Sequence, residues 1–251
     1  VMVNYNYAFT TFLAYWAKRL LNLRMVFMPI THTSSDWARN PFLKKIYSVS
    51  NRVIACTDFE KRFLEAQGAS RVVALPLGVP ADLFQGLDGR RAKTKYQLPD
   101  GEIIAFFGRK VHKKGLEALI DAMPLVWKEH PNAYLLLAGQ AATYFAPVIK
   151  QHVNLYSWTE RTRLIDIDDF SEEEKKDFYG AVDIVVMTSN NDCFGLVYLE
   201  SWLAGKPVIA CKNTPQESII RDGIDGLLVE YNNKHDLAQA ILKLLKDKNL
   251  R

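Results

Sequence analysis

The chain has 251 residues, 49% of them hydrophobic and 24% charged, with 13 Gly and 10 Pro, which is globular composition and excludes intrinsic disorder. No apolar run approaches the roughly 20 residues that span a bilayer, and the opening VMVNYNYAF carries neither a basic leader nor a small-residue cleavage site. The net charge of +4 comes from residues 1–88, where ten Lys/Arg face six Asp/Glu. That excess suits a lipid surface, an acidic acceptor or a merely solvated face, and it falls far short of a nucleic-acid module.

In chain order, VMVNY reads as a strand, and a chain that opens inside a strand reads as a fragment. The helical stretch AFTTFLAYWAKRLLNLR follows, with Phe9, Phe12, Leu13, Trp16 and Leu20 along one face and Lys18, Arg19 and Arg24 near its end. Core packing accounts for the stripe and the helix dipole for the cations, with membrane-surface attachment as the minority alternative. Three more strand-like runs (MVFMP, RVIAC, RVVAL) lead to the polar GLDGRRAKTKYQLPDGE of residues 86–102, which marks a boundary. We divide the chain into residues 1–88 and 89–251. The second part continues IIAFF, AYLLLAG, RLIDI, DIVVMT, PVIAC and GLLVE, separated by helix-length segments. The expectation is an α/β protein with parallel sheets, in which the second part is a complete doubly wound half and the first part is incomplete.

Two constellations carry chemistry. In DCFGLVYLESWLAGKPVIA (192–210), Gly195 precedes a helix whose first amides, at Gly195, Leu196 and Val197, lack intrahelical acceptors. Free amides and the positive end of a helix dipole form an anion site, for which phosphate is the common occupant. Asp192 and Glu200 flank it, and a carboxylate can accept from the adjacent hydroxyls of a ribose or a sugar. The competing reading makes Asp192 a cap and pairs Glu200 with a basic residue on a neighbouring element. In FFGRKVHKKGLEALIDAM, Arg109 leaves a strand end and Lys114 precedes Gly115, while Leu116, Leu119, Ile120 and Met123 form the buried stripe of the next helix. Fixed cations at that sheet edge suit a diphosphate leaving group. Lys110, His112 and Lys113 read as a solvated basic loop.

Other features carry less. No G-x-G-x-x-G follows a strand and no Gly-rich Lys-Ser/Thr loop is present. Asp166 and Asp168 in RLIDIDDF share a strand face and could hold Mg2+, although capping of the acidic helix that follows explains them more simply. Cys56, Cys193 and Cys211 are too few and scattered for a disulfide framework or zinc site, so a reducing, cytoplasmic setting is the default. Cys193 has no base beside it in sequence and reads as a filler. His32, in MVFMPITHTSSDW, reads by itself as a structural hydrogen bonder.

Taken together, strand-GR(x)4KG-helix, the strand ending LLLAG, D-x-FGLVYLE-SWLAGKPVIA and PQESIIRDGIDGLLV resemble the nucleotide-sugar half of a GT-B glycosyltransferase of the retaining family-4 type. RVVALPLGVPADLF is similar to the family's passage out of the acceptor half. The resemblance implies two Rossmann-like doubly wound domains, the first incomplete. It implies that Arg109 and Lys114 bind the donor diphosphate, that Gly195, Leu196 and Val197, next to Phe194, hold phosphate, and that Glu200 binds ribose. The family's paired glutamates fall on Asp192 and Glu200, and Asp192 is one methylene shorter than the family's residue. His32 would line the acceptor side. The family's first Gly-rich loop and long terminal helix have no counterpart in this sequence.

The function implied is a retaining, metal-independent transfer from a nucleoside-diphosphate sugar to a saccharide or lipid-linked acceptor. Catalysis would fall to His32, Asp192, Arg109 and Lys114. No cofactor beyond the substrate is expected, nor any nucleic-acid partner, and the first part could touch the inner face of a membrane. An epimerase or hydrolase of the same fold, or a non-catalytic sugar-nucleotide module, are the alternatives.

Overall fold

A computed structural model describes residues 2–5, 8–190 and 192–247. Each of the ten apolar runs contains a strand: β1 (Met2–Tyr5), β2 (Met25–Met28), β3 (Arg52–Ala55), β4 (Val72–Ala74), β5 (Glu102–Phe107), β6 (Ala133–Ala138), β7 (Leu164–Ile167), β8 (Ile184–Val186), β9 (Val208–Cys211) and β10 (Leu227–Val229). The chain divides into two compact units, one of Val1–Leu77 with Asn191–Gly195 and Thr214–Ile219, the other of Gly78–Asn190, Leu196–Asn213 and Ile220–Arg251. The passage between them at 77/78 precedes the 88/89 division drawn from composition. Residues just after it pack within the second unit, with the Phe84 ring 5.4 Å from that of Tyr179 and Arg91 paired to Asp177 at 2.9 Å.

In the first unit the sheet runs β1-β2-β3-β4, all neighbours parallel. Its core collects Met25 and Phe27 from alternate positions of β2, Leu43, Ile46 and Tyr47 from the helix Pro41–Val49, and Leu64 from the helix Asp58–Ala66. Glu60 is fully buried and accepts from the amides of Thr31 and Cys56, both at 2.6 Å, so one carboxylate ties the loop after β2 to the end of β3. Burial raises its pKa, and burial together with the Glu60 charge pushes the Cys56 thiol up to about 12, which leaves it unreactive.

The helix Ala8–Leu21 corrects an expectation. Phe9, Phe12, Leu13, Trp16 and Leu20, read as its core stripe, are exposed, and the buried positions are Thr11 and Ala14. Small residues let the helix backbone approach the sheet, which turns the large side chains outward. Phe12 still meets Phe42, their ring centroids 6.1 Å apart. Among the described residues no helix is long and apolar enough to cross a membrane.

The sheet of the second unit runs β10-β9-β8-β5-β6-β7, entirely parallel. Counted within the unit, this is the doubly wound order whose direction reverses between its first and fourth strands, here β5 and β8. β5 is buried at five consecutive positions, Ile103 to Phe107, because helices cover both faces of such a sheet. Leu116, Leu119, Ile120 and Met123 are buried, as their spacing predicts, on the helix Leu116–Glu129.

Where β5 and β6 end, their backbones nearly touch. A Cβ on Gly139 would lie 2.1 Å from the Gly108 carbonyl oxygen, and Gly139 has φ +135°. Gly139→Ala therefore combines backbone strain with a backbone clash, and urea unfolding should show a loss of about 3 kcal/mol or more. A loss under about 0.5 kcal/mol would mean that this approach is not enforced.

Candidate functional site

The reversal between β5 and β8 leaves a crevice beyond the carboxyl ends of the strands, the place where ligands bind in doubly wound sheets. A cleft of about 530 Å³ opens there within the second unit. Gly108 and Arg109 after β5, Gly139 and Gln140 after β6, and Asp168, Asp169 and Phe170 after β7 form its walls. The helix Glu172–Ala181 contributes Glu172 and Lys175, and the helix Leu196–Leu203 contributes Leu196, Val197 and Glu200.

Arg109 is exposed and makes no ion pair or hydrogen bond among the described residues, so its charge is open to the cleft. Leu196 and Val197 bring the first turn of their helix, with the partial positive charge of a helix start, to the same cleft. Glu200 lies one turn further on, its side chain only 12% exposed. Its partners are protein groups: Lys175 Nζ at 2.6 Å and the Tyr179 hydroxyl, which donates at 2.8 Å. Burial first, and the Glu200 charge second, push the Tyr179 phenol well above its usual range, so it remains a donor. The carboxylate is thereby paired, as a buried charge requires, while still lining the cleft.

The helix Leu116–Glu129 can start against the end of β8 because residue 115 is Gly. At its φ of +71° a Cβ would sit 2.3 Å from the Thr188 carbonyl oxygen. The turn His112–Lys114 just before it is tied to the chain after β8 by the Lys113 carbonyl, which accepts from the Asn190 amide at 3.1 Å and the Ser189 hydroxyl at 3.0 Å. Lys114 ends that turn half-buried and outside the cleft lining, unlike Arg109.

Lys110 departs from the expectation of a solvated loop residue. It is fully buried, and its ammonium donates to Asp166, to Asp168 at 2.8 Å and to the Ile167 carbonyl at 3.3 Å. The hydrogen bond from Lys110 holds the Asp168 carboxyl below the usual carboxylate range. The acidic pair weighed as a Mg2+ ligand thus already has a cation between its members. Among the described residues no group of three or more His, Cys, Asp or Glu side chains could hold a metal ion.

The remaining candidates, His32, Asp192, Phe194 and Gly195, belong to the first unit. His32 is exposed, and its Nδ1 lies 3.4 Å from the Sγ of Cys193, which donates to the Ile30 carbonyl at 3.1 Å. Cys193, a filler by sequence, therefore has an imidazole beside it after all. The Asp192 carbonyl accepts from Gln216 at 3.4 Å, Phe194 is buried, and Gly195 has φ +90°. Sequence reasoning missed Lys175, Tyr179 and Lys110. The first two sit four residues apart on one helix face, and nothing in that spacing points to Glu200 on another helix.

Comparison with known proteins places the chain in a family. The family described as Glycosyl transferases group 1 matches residues 90–251. A lipopolysaccharide core biosynthesis glycosyltransferase, LpsE of Rhizobium meliloti, is 29% identical over 162 residues, covering 63% of this chain and 44% of that protein. A D-inositol 3-phosphate glycosyltransferase of Acidothermus cellulolyticus is 29% identical over 222 residues, covering 82% of this chain and 48% of that protein. The chain thus spans about half the length of these relatives. Among solved structures, Anabaena HepE in complex with UDP and glucose superposes with a TM-score of 0.86 at 19% identity, over 99% of this chain and 69% of that one, which establishes a shared fold. The C-terminal domain of LpcC, a glycosyl transferase group 1 protein from Francisella tularensis, is 27% identical with a TM-score of 0.63, over 69% of this chain and 90% of that domain. With most of the second unit inside the family match, the chain belongs to the glycosyl transferases group 1 family.

Proposed function

We propose that the second unit binds a nucleoside-diphosphate sugar in the cleft at its switch point and that the protein transfers the sugar, with retention, to a saccharide or lipid-linked acceptor. The observation that carries this reading is the meeting in one cleft of Arg109, the first turn of the helix Leu196–Leu203 and the paired carboxylate of Glu200. An unpartnered cation and a helix start suit a diphosphate on which charge grows as the glycosidic bond breaks. Glu200, fixed by Lys175 and Tyr179, suits the adjacent hydroxyls of a ribose. Lys114, at the start of the neighbouring helix, is assigned a supporting place in charge neutralisation.

In this mechanism the acceptor hydroxyl adds to the anomeric carbon on the face from which the diphosphate departs, and a donor phosphate oxygen takes its proton. Asp192 orients the transferred sugar and His32 the acceptor. The donor and acceptor classes find support in the names of similar proteins: HepE, alike in fold, was solved with UDP and with UDP-glucose, and LpsE is named for lipopolysaccharide core biosynthesis. We further propose that the reaction needs no metal, because Lys110 supplies the positive charge at Asp166 and Asp168. The exposed aromatic face of the helix Ala8–Leu21, with Lys18 and Arg19 in its last turn, suits a protein that meets a lipid-linked acceptor at a membrane surface.

In a thermal-shift panel of UDP, GDP and ADP, one nucleotide should raise the melting temperature selectively. At a hundredfold excess over its Kd, linkage predicts about 2.7 kcal/mol of stabilisation. For a chain of this size that is a shift of roughly 5–10 °C. No shift with any of the three would count against the reading. Calorimetry on Glu200→Gln should show roughly tenfold weaker binding of the same nucleotide, since the amide loses both the charge facing Lys175 and one acceptor; an unchanged Kd would return Glu200 to a purely structural role. Excess EDTA should leave transfer at full rate, and a loss restored by Mg2+ would contradict metal independence.

A further inference from the structure

Beyond the ends of the ladders, the loops after β5, β6 and β7 form one side of the cleft and two helices the other. The last paired residues are Phe107 with Ala138 and Ala138 with Ile167. Past these, the Lys110 backbone links the loops after β5 and β6, donating to Gln140 O at 2.9 Å and accepting from the Ala142 amide at 3.1 Å. Its side chain then reaches the end of β7 and the loop after it, donating to Asp166 and Ile167 O in the strand and to Asp168 just past it. One residue therefore ties together all three loops that wall the cleft, and it directly follows Arg109.

The fold has no evident need of a charge at that place. Taking an ammonium fully out of water is costly, and a buried ion cluster can often be replaced by apolar side chains without loss of stability. The side chains of Asp166 and Asp168, 43% and 67% exposed, do not depend on Lys110 for their own burial. What the cluster does fix is the place of the Asp168 wall relative to Arg109, both of which line the cleft. Without Lys110, two adjacent carboxylates would repel each other and any polyanion entering beside them.

We propose that Lys110 is a positioning residue for nucleotide binding: by clamping Asp166 and Asp168 to the loop after β5, it holds the β7 wall in register with Arg109 and cancels the negative charge that would otherwise face the diphosphate. This rests on the nucleotide-sugar reading of the cleft, and it adds a residue that neither the helix start nor the Arg109 strand end identifies.

The test is calorimetry with whichever of UDP, GDP and ADP binds the unaltered chain, alongside melting temperatures. Lys110→Met, close in length and apolar, should stay folded and raise the Kd at least tenfold. Lys110→Arg, which keeps the charge, should recover most of the affinity, a rescue that a packing role would not produce. A folded Lys110→Met with Kd within twofold of the unaltered chain overturns the proposal, whatever its melting temperature. If Lys110→Met does not fold, Asp168→Asn decides, because that side chain is largely exposed: a fivefold or greater rise in Kd supports the clamp and an unchanged Kd overturns it. Failure of the nucleotide reading looks different, since the unaltered chain would then bind none of the three nucleotides.

Discussion

The second unit depends on the place of β5, which pairs in parallel with β6 on one side and β8 on the other. Because the connections run in opposite directions from this central pair, the segments leaving β5 and β8 diverge, and the divergence opens the crevice. The cleft residues of the second unit hang on that separation. Arg109 is the second residue past the end of β5, and Leu196 opens the helix that follows β8. The glycines at 115 and 139 keep the surrounding segments close enough for walls to form, since neither site has room for a Cβ.

The charges of the cleft follow from this frame. Its lining includes four carboxylates, Asp168, Asp169, Glu172 and Glu200, which alone would repel a diphosphate. Lys175 answers Glu200 at 2.6 Å and Glu172 at 3.9 Å, and Lys110 answers Asp168 at 2.8 Å, so three of the four are engaged by cations from the protein itself. Arg109 is left with its charge uncommitted. A cleft with anchored acids and one open cation is suited to a ligand that is polyanionic at one end and rich in hydroxyls at the other.

What was legible in the sequence was local. Each strand run is a short apolar stretch bounded by polar or helical sequence, and the stripe Leu116, Leu119, Ile120, Met123 repeats at the helical period, so those elements could be read from neighbours along the chain. Arg109 and the run from Gly195 to Glu200 announced themselves as a strand end and a helix start. The partner of Glu200 was not legible, because Lys175 lies 25 residues away on a helix whose acidic opening drew attention to capping. Lys110 was misread for a related reason: only the order β5-β6-β7 brings it to Asp166 and Asp168, 56 and 58 residues on. The helix Ala8–Leu21 was misread because its periodicity identifies an apolar face without saying which face the sheet takes, and Thr11 with Ala14 allowed the closer approach.

The central claim is that the diphosphate of a nucleotide lies between Arg109 and the first turn of the helix Leu196–Leu203. The most direct measurement is amide NMR of the chain titrated with the nucleoside diphosphate it binds. The largest shifts are expected at the Leu196 and Val197 amides and at Arg109, saturating together with one Kd. Saturating shifts confined to the separate cavity lined by Trp202, Lys206 and Lys243, with these amides unmoved, would contradict it.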